Sequence, residues 1–273
     1  MSPSPDDRGA LQHGQLTILG RIRSASNATF LCEATLGEHR VHCVYKPVAG
    51  EQPLWDFPNG TLAGRELGAY LISVQLGWNI VPYTIIRVGP AGIGMLQLWV
   101  DQPADDTAAD TVTKPGLDLV DLIPSGRVPQ GYLPVLQAHD YTGDPVILVH
   151  ANDVRLRRMA VLDVLINNAD RKGGHILRAL DGSIYGVDHG VCLHTDDKLR
   201  TVLWGWAGQR IDDKTLAAVS GLIDALNGPL AEALKPHLTV AEIAALCRRA
   251  RDLVDNPVMP RPDRYRPIPW PAF

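Results

Sequence analysis

One segment constrains this chain more than any other. Ile166-Asn167-Asn168-Ala169-Asp170-Arg171-Lys172-Gly173-Gly174 leaves the end of an apolar helical pattern, gathers charged side chains, turns on two glycines and resumes as an apolar strand at Ile176-Leu177. A second apolar strand then delivers Asp188 into a glycine turn, Gly186-Val187-Asp188-His189-Gly190. Two acidic loops at the ends of adjacent short strands can converge on one point. A mixed α/β chain with a loop-borne acidic site is therefore expected.

The N-terminal half supplies a sheet for that site. Residues 1–15 read as a flexible leader and 16–23 as a strand, followed by the small polar turn Ser24-Ala25-Ser26-Asn27-Ala28. Residues 29–36 and 40–46 form a hairpin around Gly37-Glu38, whose two-residue turn pairs positions that place Cys32 opposite Cys43. A helix over 61–76, capped by Thr61 and stopped by Gly77, precedes strands over 83–88 and 94–100. Residues 101–118 are acidic, Pro-containing and poor in apolar side chains, the composition of a linker or insertion. Short helical pieces and loops are expected next. Asp153 then caps a helix from 154 to about 168 with Leu156, Met159, Leu162 and Ile166 on one face. Thr239-x-x-Glu242 is a capping box opening a helix to about 254. The resulting division is a leader (1–15), an N-lobe (16–100), a linker (101–118), a C-lobe (119–255) and a Pro-rich tail (256–273) that docks Trp270 and Phe273 on the body.

Composition narrows the function classes. The 273 residues carry a net charge of -4, without the basic stripe by which nucleic-acid binders neutralise phosphates, so no nucleic-acid partner is expected. No apolar run reaches the ~18 residues of a membrane-spanning helix and no secretory core opens the chain, so no integral membrane segment and a cytoplasmic setting are expected. Cys32, Cys43, Cys192 and Cys247 read as free thiols rather than a disulfide framework. His189, Cys192 and His194 match no structural zinc spacing, and Trp204 and Trp206 read as packing residues.

Asn168-Ala169-Asp170-Arg171 followed by Val187-Asp188-His189-Gly190 resembles the catalytic and metal-binding loops of the phosphatidylinositol 3-/4-kinase-like superfamily, most nearly the type II 4-kinases and the HipA-type protein kinases. The resemblance spans about 16–255, and these two motifs are its specific part. It implies a two-lobed protein-kinase-like α/β fold, with a small β-rich N-lobe and a mostly helical C-lobe. It also implies ATP with Mg or Mn, and transfer of the γ-phosphate to a lipid, protein Ser/Thr or small-molecule hydroxyl. Carried over by position, Asp170 orients or deprotonates the acceptor, Arg171 belongs to the lipid-kinase pattern and Asp188 binds the metal, while Lys172 either neutralises the γ-phosphate or faces solvent. Val44-Tyr45-Lys46 resembles the strand in which an apolar residue covers adenine and a lysine reaches the phosphates, with Glu66 as its carboxylate partner. Ser24, Ser26 and Asn27 stand in the phosphate-covering turn, and Gln97, Leu98 and Trp99 where backbone groups would hold adenine.

The chain departs from the pattern at His175, where an asparagine is usual as second metal ligand. Imidazole nitrogen suits Mn or Zn better than Mg. A nucleotide-binding pseudokinase and a nucleotidyl transferase on the same fold therefore stand beside the kinase reading.

Overall fold

The structure is a computed structural model and describes residues 3–22, 27–52, 54–57, 61–103 and 117–273. Ser24, Ser26 and most of the 101–118 linker lie outside the described residues. The chain is mixed α/β, β-rich in its N-terminal part and helical in its C-terminal part.

It opens with a helix, α1 (Pro5–His13), where a flexible leader was expected. The Ser4 hydroxyl accepts from the Asp7 amide, the Asp7 carboxylate accepts in turn from the Ser4 amide, and Pro5 sits at the first turn. Ala10 and Leu11 are fully buried, so tertiary packing adds to that local start signal.

Strands β1 (Gln15–Arg21), β2 (Phe30–Leu36), β3 (His39–Pro47), β4 (Thr84–Gly89) and β5 (Gly92–Leu98) form an antiparallel sheet ordered β1-β2-β3-β5-β4. Cys32 stands opposite Cys43, as the turn arithmetic requires. Alternation sends Cys32, Ala34, Cys43, Tyr45 and Leu96 toward α1, leaving Val44 and Lys46 on the other face with their cross-strand partners Gln97 and Met95. That second face meets α2 (Leu62–Gln75), which Thr61 caps by accepting from the Gly64 amide.

Where short helical pieces were expected, strands β6 (Val120–Pro124), β7 (Tyr132–His139) and β8 (Pro145–Ala151) make a second antiparallel sheet, ordered β6-β8-β7. Its centre is the apolar, mostly β-branched run Val146-Ile147-Leu148-Val149, and Asp140 closes the β7–β8 turn by accepting from the Thr142 and Asp144 amides. Helix α3 (Val154–Ile166) follows, capped by Asp153 and ended by Asn167 at φ 52°. The hairpin β9 (Ile176–Arg178) and β10 (Ile184–Gly186) then leads into α4 (Asp213–Leu226), α5 (Pro229–Leu234) and α6 (Val240–Asp255). Thr239 and Glu242 form the capping box of α6. Trp204 and Trp206 are buried, their indole N–H groups donating to the Pro267 carbonyl and to Asn152 Oδ1. Among the described residues no helix is long and apolar enough to cross a membrane.

Candidate functional site

The alternation of β3 puts Tyr45 into the core under α1 and turns Lys46 outward, toward α2 and the loop after β10. Lys46 Nζ lies 2.6 Å from Glu66 Oε1 and 2.7 Å from Asp188 Oδ1. Glu66 is buried on α2, and its second oxygen accepts from the His189 amide at 3.0 Å. One lysine thus ties sheet, helix and loop together. Asp188 itself sits at φ 60°, a conformation uncommon for a residue with a Cβ and best tolerated by Asn and Asp.

The charges perturb one another. Lys46 pulls the Asp188 carboxyl well below the usual carboxylate range against the opposing effect of burial. Burial alone would lower Lys46, but the Asp188 and Glu66 carboxylates outweigh it and hold its ammonium above the ordinary value. Burial raises Glu66, with Lys46 opposing. Asp170, on the loop after α3, is raised chiefly by burial, with Lys172 Nζ 3.5 Å from its Oδ2 working the other way. Burial pushes His175 down to about 4, so its ring is neutral at pH 7.

His175 Nε2 lies 3.4 Å from Asp188 Oδ2. Two donors bonded side by side to one octahedral ion at ~2.0–2.1 Å lie about 3 Å apart, a separation this pair approaches, and its imidazole nitrogen suits Mn better than Mg. Among the described residues no group of three or more His, Cys, Asp or Glu side chains forms a metal cage. His189 turns instead to Arg171, and the Cys192 carbonyl to Arg65.

Two groups of expected site residues are placed differently. Arg171 is wholly buried, and its guanidinium is engaged within the protein. Its Nε and Nη2 donate to Asp163, its Nη1 to the His175 and Val187 carbonyls, and its Nη2 also approaches His189 Nε2 at 2.6 Å. Arg171 therefore braces the loops bearing Asp170 and Asp188 against α3. Its partner Asp163 was missed in the sequence, though a carboxylate amid the apolar positions of α3 is itself a signal, since a buried charge needs a partner. Asn168 Nδ2 and Thr201 Oγ1 complete the set around Asp163.

The strand expected to face adenine turns part of its length into the core. Leu98 packs into the cluster under α1, and Gln97 Nε2 donates to Thr84 Oγ1 at 2.9 Å. The amides of Leu98 and Trp99 are spent on the Tyr83 and His42 carbonyls, because pairing continues past the end of β5. Neither amide is left as a donor for a base edge. Leu98 and Trp99 do border a cavity of about 380 Å³, with His42, Val100, Asp101 and Tyr185. Asn27 and Lys46 border a smaller one with Glu66 and Asp188, while the Asn27 side chain accepts from the Gln52 amide.

No family model matches the chain. Protein Rv2133c of Mycobacterium tuberculosis (strain ATCC 25618 / H37Rv) is 69% identical over 273 residues, covering 100% of this chain and 98% of that protein. Two solved structures overlay on the chain at 12% identity. The Golgi casein kinase does so over 92% of this chain and 73% of its own, with a TM-score of 0.46. The Helicobacter pylori proinflammatory kinase CtkA does so over 90% and 93%, with a TM-score of 0.45.

Proposed function

As the chain belongs to the same family as Protein Rv2133c, whose name carries no activity, we propose its function from the site itself: ATP-dependent transfer of the γ-phosphoryl group to a hydroxyl. The observation that carries this reading is Lys46 held between Glu66 at 2.6 Å and Asp188 at 2.7 Å. A cation fixed in this way is set to meet phosphate oxygens, and phosphoryl transfer depends mainly on positioning and charge stabilisation.

In this reading Glu66 aims Lys46 at the nucleotide phosphates. Asp188 and His175 hold Mg or Mn, which when bound neutralises charge on the phosphate oxygens. Asp170 accepts the proton of the acceptor hydroxyl, and its raised affinity for a proton suits that task. Lys172, beside Asp170, faces the transferred phosphate. Arg171 and Asp163 hold the two loops without touching substrate. Val44, on the face of Lys46, covers the base, and Asn27 belongs to the phosphate turn. The acceptor is a protein Ser/Thr, a lipid or a small molecule. Cys32 and Cys43, directly opposed yet free, favour a reducing, cytoplasmic setting.

The test is product analysis with ATP and either ion. Kinase activity yields ADP, nucleotidyl transfer yields pyrophosphate, and a pseudokinase yields neither. Asp170→Ala should bind ATP as the wild type does and form no ADP. ADP formation at the wild-type rate by that variant would remove Asp170 from its role.

A further inference from the structure

The loop bearing Asp170 and Lys172 is gripped from two sides. On one side the Arg171 amide donates to the Arg200 carbonyl and the Val202 amide to the Arg171 carbonyl, both at 3.1 Å, making a parallel bridge between Arg171 and Thr201. On the other side lies the Pro-rich tail. The Pro267 carbonyl accepts from the Thr201 amide at 3.1 Å and from Trp204 Nε1 at 2.9 Å. The Ala272 carbonyl accepts from the Gly173 amide at 2.8 Å. The Phe273 ring lies flush on Gly173, where an added Cβ would meet its Cε1 at 2.5 Å and its Cδ1 at 2.6 Å.

We propose that residues 267–273 form a strap whose end, Ala272 and Phe273, positions the Asp170–Lys172 loop for the acceptor step. This rests on the kinase reading above for the word acceptor, but not for the strap's hold on the loop. Phe273 remains 47% exposed, so it is a small part of the core. Its contact is instead with the backbone directly after Lys172. A glycine at 173 gives that backbone no side chain of its own to fix it, and the strap supplies the missing restraint. The nucleotide side of the site, Lys46, Glu66 and Asp188, has no contact with the strap among the described hydrogen bonds and ion pairs. The strap should therefore act on turnover and leave nucleotide affinity alone.

The test uses the full chain, Phe273→Ala, Gly173→Ala, the two combined, and a variant lacking residues 272–273. Amide hydrogen exchange at 171–175 reads the strap's hold, calorimetry reads ATP affinity, and ADP formation reads turnover. Expected are exchange at Gly173 faster by about tenfold or more in the shortened variant, ATP affinity within about twofold of wild type, and turnover down by about tenfold. The double variant should be no slower than the worse single, because removing the ring makes room for the added methyl. Unchanged exchange at Gly173 in the shortened variant overturns the proposal. So does a loss of ATP affinity parallel to the loss of turnover, which marks general unfolding. If the wild-type chain forms no ADP, the kinase reading fails, whereas the exchange measurement still decides whether the strap holds the loop.

Discussion

Arg171 and Asp163 form an ion pair, Nη2 to Oδ1 at 3.0 Å, in which neither side chain has any exposed surface. The pair joins α3 to the loop that carries Asp170, and through the Val187 carbonyl to the loop that carries Asp188. The two acidic loops reach one point because a buried guanidinium fills the space between them.

Breaking that pair should be severe. Removing one partner of a buried ion pair typically costs about 3–5 kcal/mol, because the other charge is left without compensation. Asp163→Ala should lower unfolding free energy in urea by that order, and its loss should exceed that of a surface pair such as Arg210 with Asp213. A loss below about 1 kcal/mol would show that Arg171 finds other partners.

A second buried pair links α2 to the C-terminal helices. Arg65 Nη2 lies 2.5 Å from Glu242 Oε1, and Arg65 Nη1 donates to the Cys192 carbonyl, so the residue beside Glu66 is anchored outside the sheet. Glu242→Ala should therefore weaken ATP binding in calorimetry as well as stability. Thr239→Ala removes the α6 cap together with the hydroxyl that donates to Glu242 Oε2, costs about 1 kcal/mol and leaves the Arg65–Glu242 pair in place, so it should weaken ATP binding less than Glu242→Ala does.

How far the sequence could be read depends on the range of the forces involved. The Cys32–Cys43 pairing follows from a two-residue turn, and the Lys46, Glu66 and Asp188 set from spacing and motif order. Local rules or a short motif carry each of these. The role of Arg171 was not legible, because the motif identifies the residue and only packing shows which way it points. The same holds for Leu98, whose strand parity was readable but not which face of β5 would meet α1. α1 had a clear signal in Ser4-Pro5-Asp6-Asp7, outweighed by a polar, Pro-containing composition. The β6–β8 sheet was hidden because its edge strands carry prolines and polar residues that read as loop.

Acid should destabilise the protein through histidine. His150 is wholly buried, with Nδ1 donating to the Ala151 carbonyl at 2.9 Å and Nε2 accepting from the Gly205 amide at 3.0 Å. Burial pushes its pKa from 6.5 down to about 4. Between those values the unfolded chain takes up a proton that the folded chain refuses. The stability is complete above pH 6.5 and lost progressively down to about 4, by up to about 1.4 kcal/mol per pH unit for this group. His150→Gln should flatten the dependence of urea stability on pH in that window. An unchanged slope would take His150 out of the account.

Thiol reactivity should separate the cysteines. Burial raises Cys32 to about 11 and Cys43 to about 12, and Cys192 is also raised by burial, while Cys247 is only partly covered. One thiol, Cys247, should label quickly in the folded protein and the other three only on unfolding. Rapid labelling of Cys32 or Cys43 would mean that α1 lifts from the sheet.

The central claim is that Lys46, Glu66 and Asp188 make a metal-dependent nucleotide site. The most direct test is calorimetry of ATP with Mg or Mn on the wild type and on Asp188→Asn, a substitution that keeps the left-handed backbone and removes the charge. The account predicts ion-dependent ATP binding by the wild type and its loss in the variant. Equal affinity in the two proteins at saturating metal, or no binding with either ion, would contradict it.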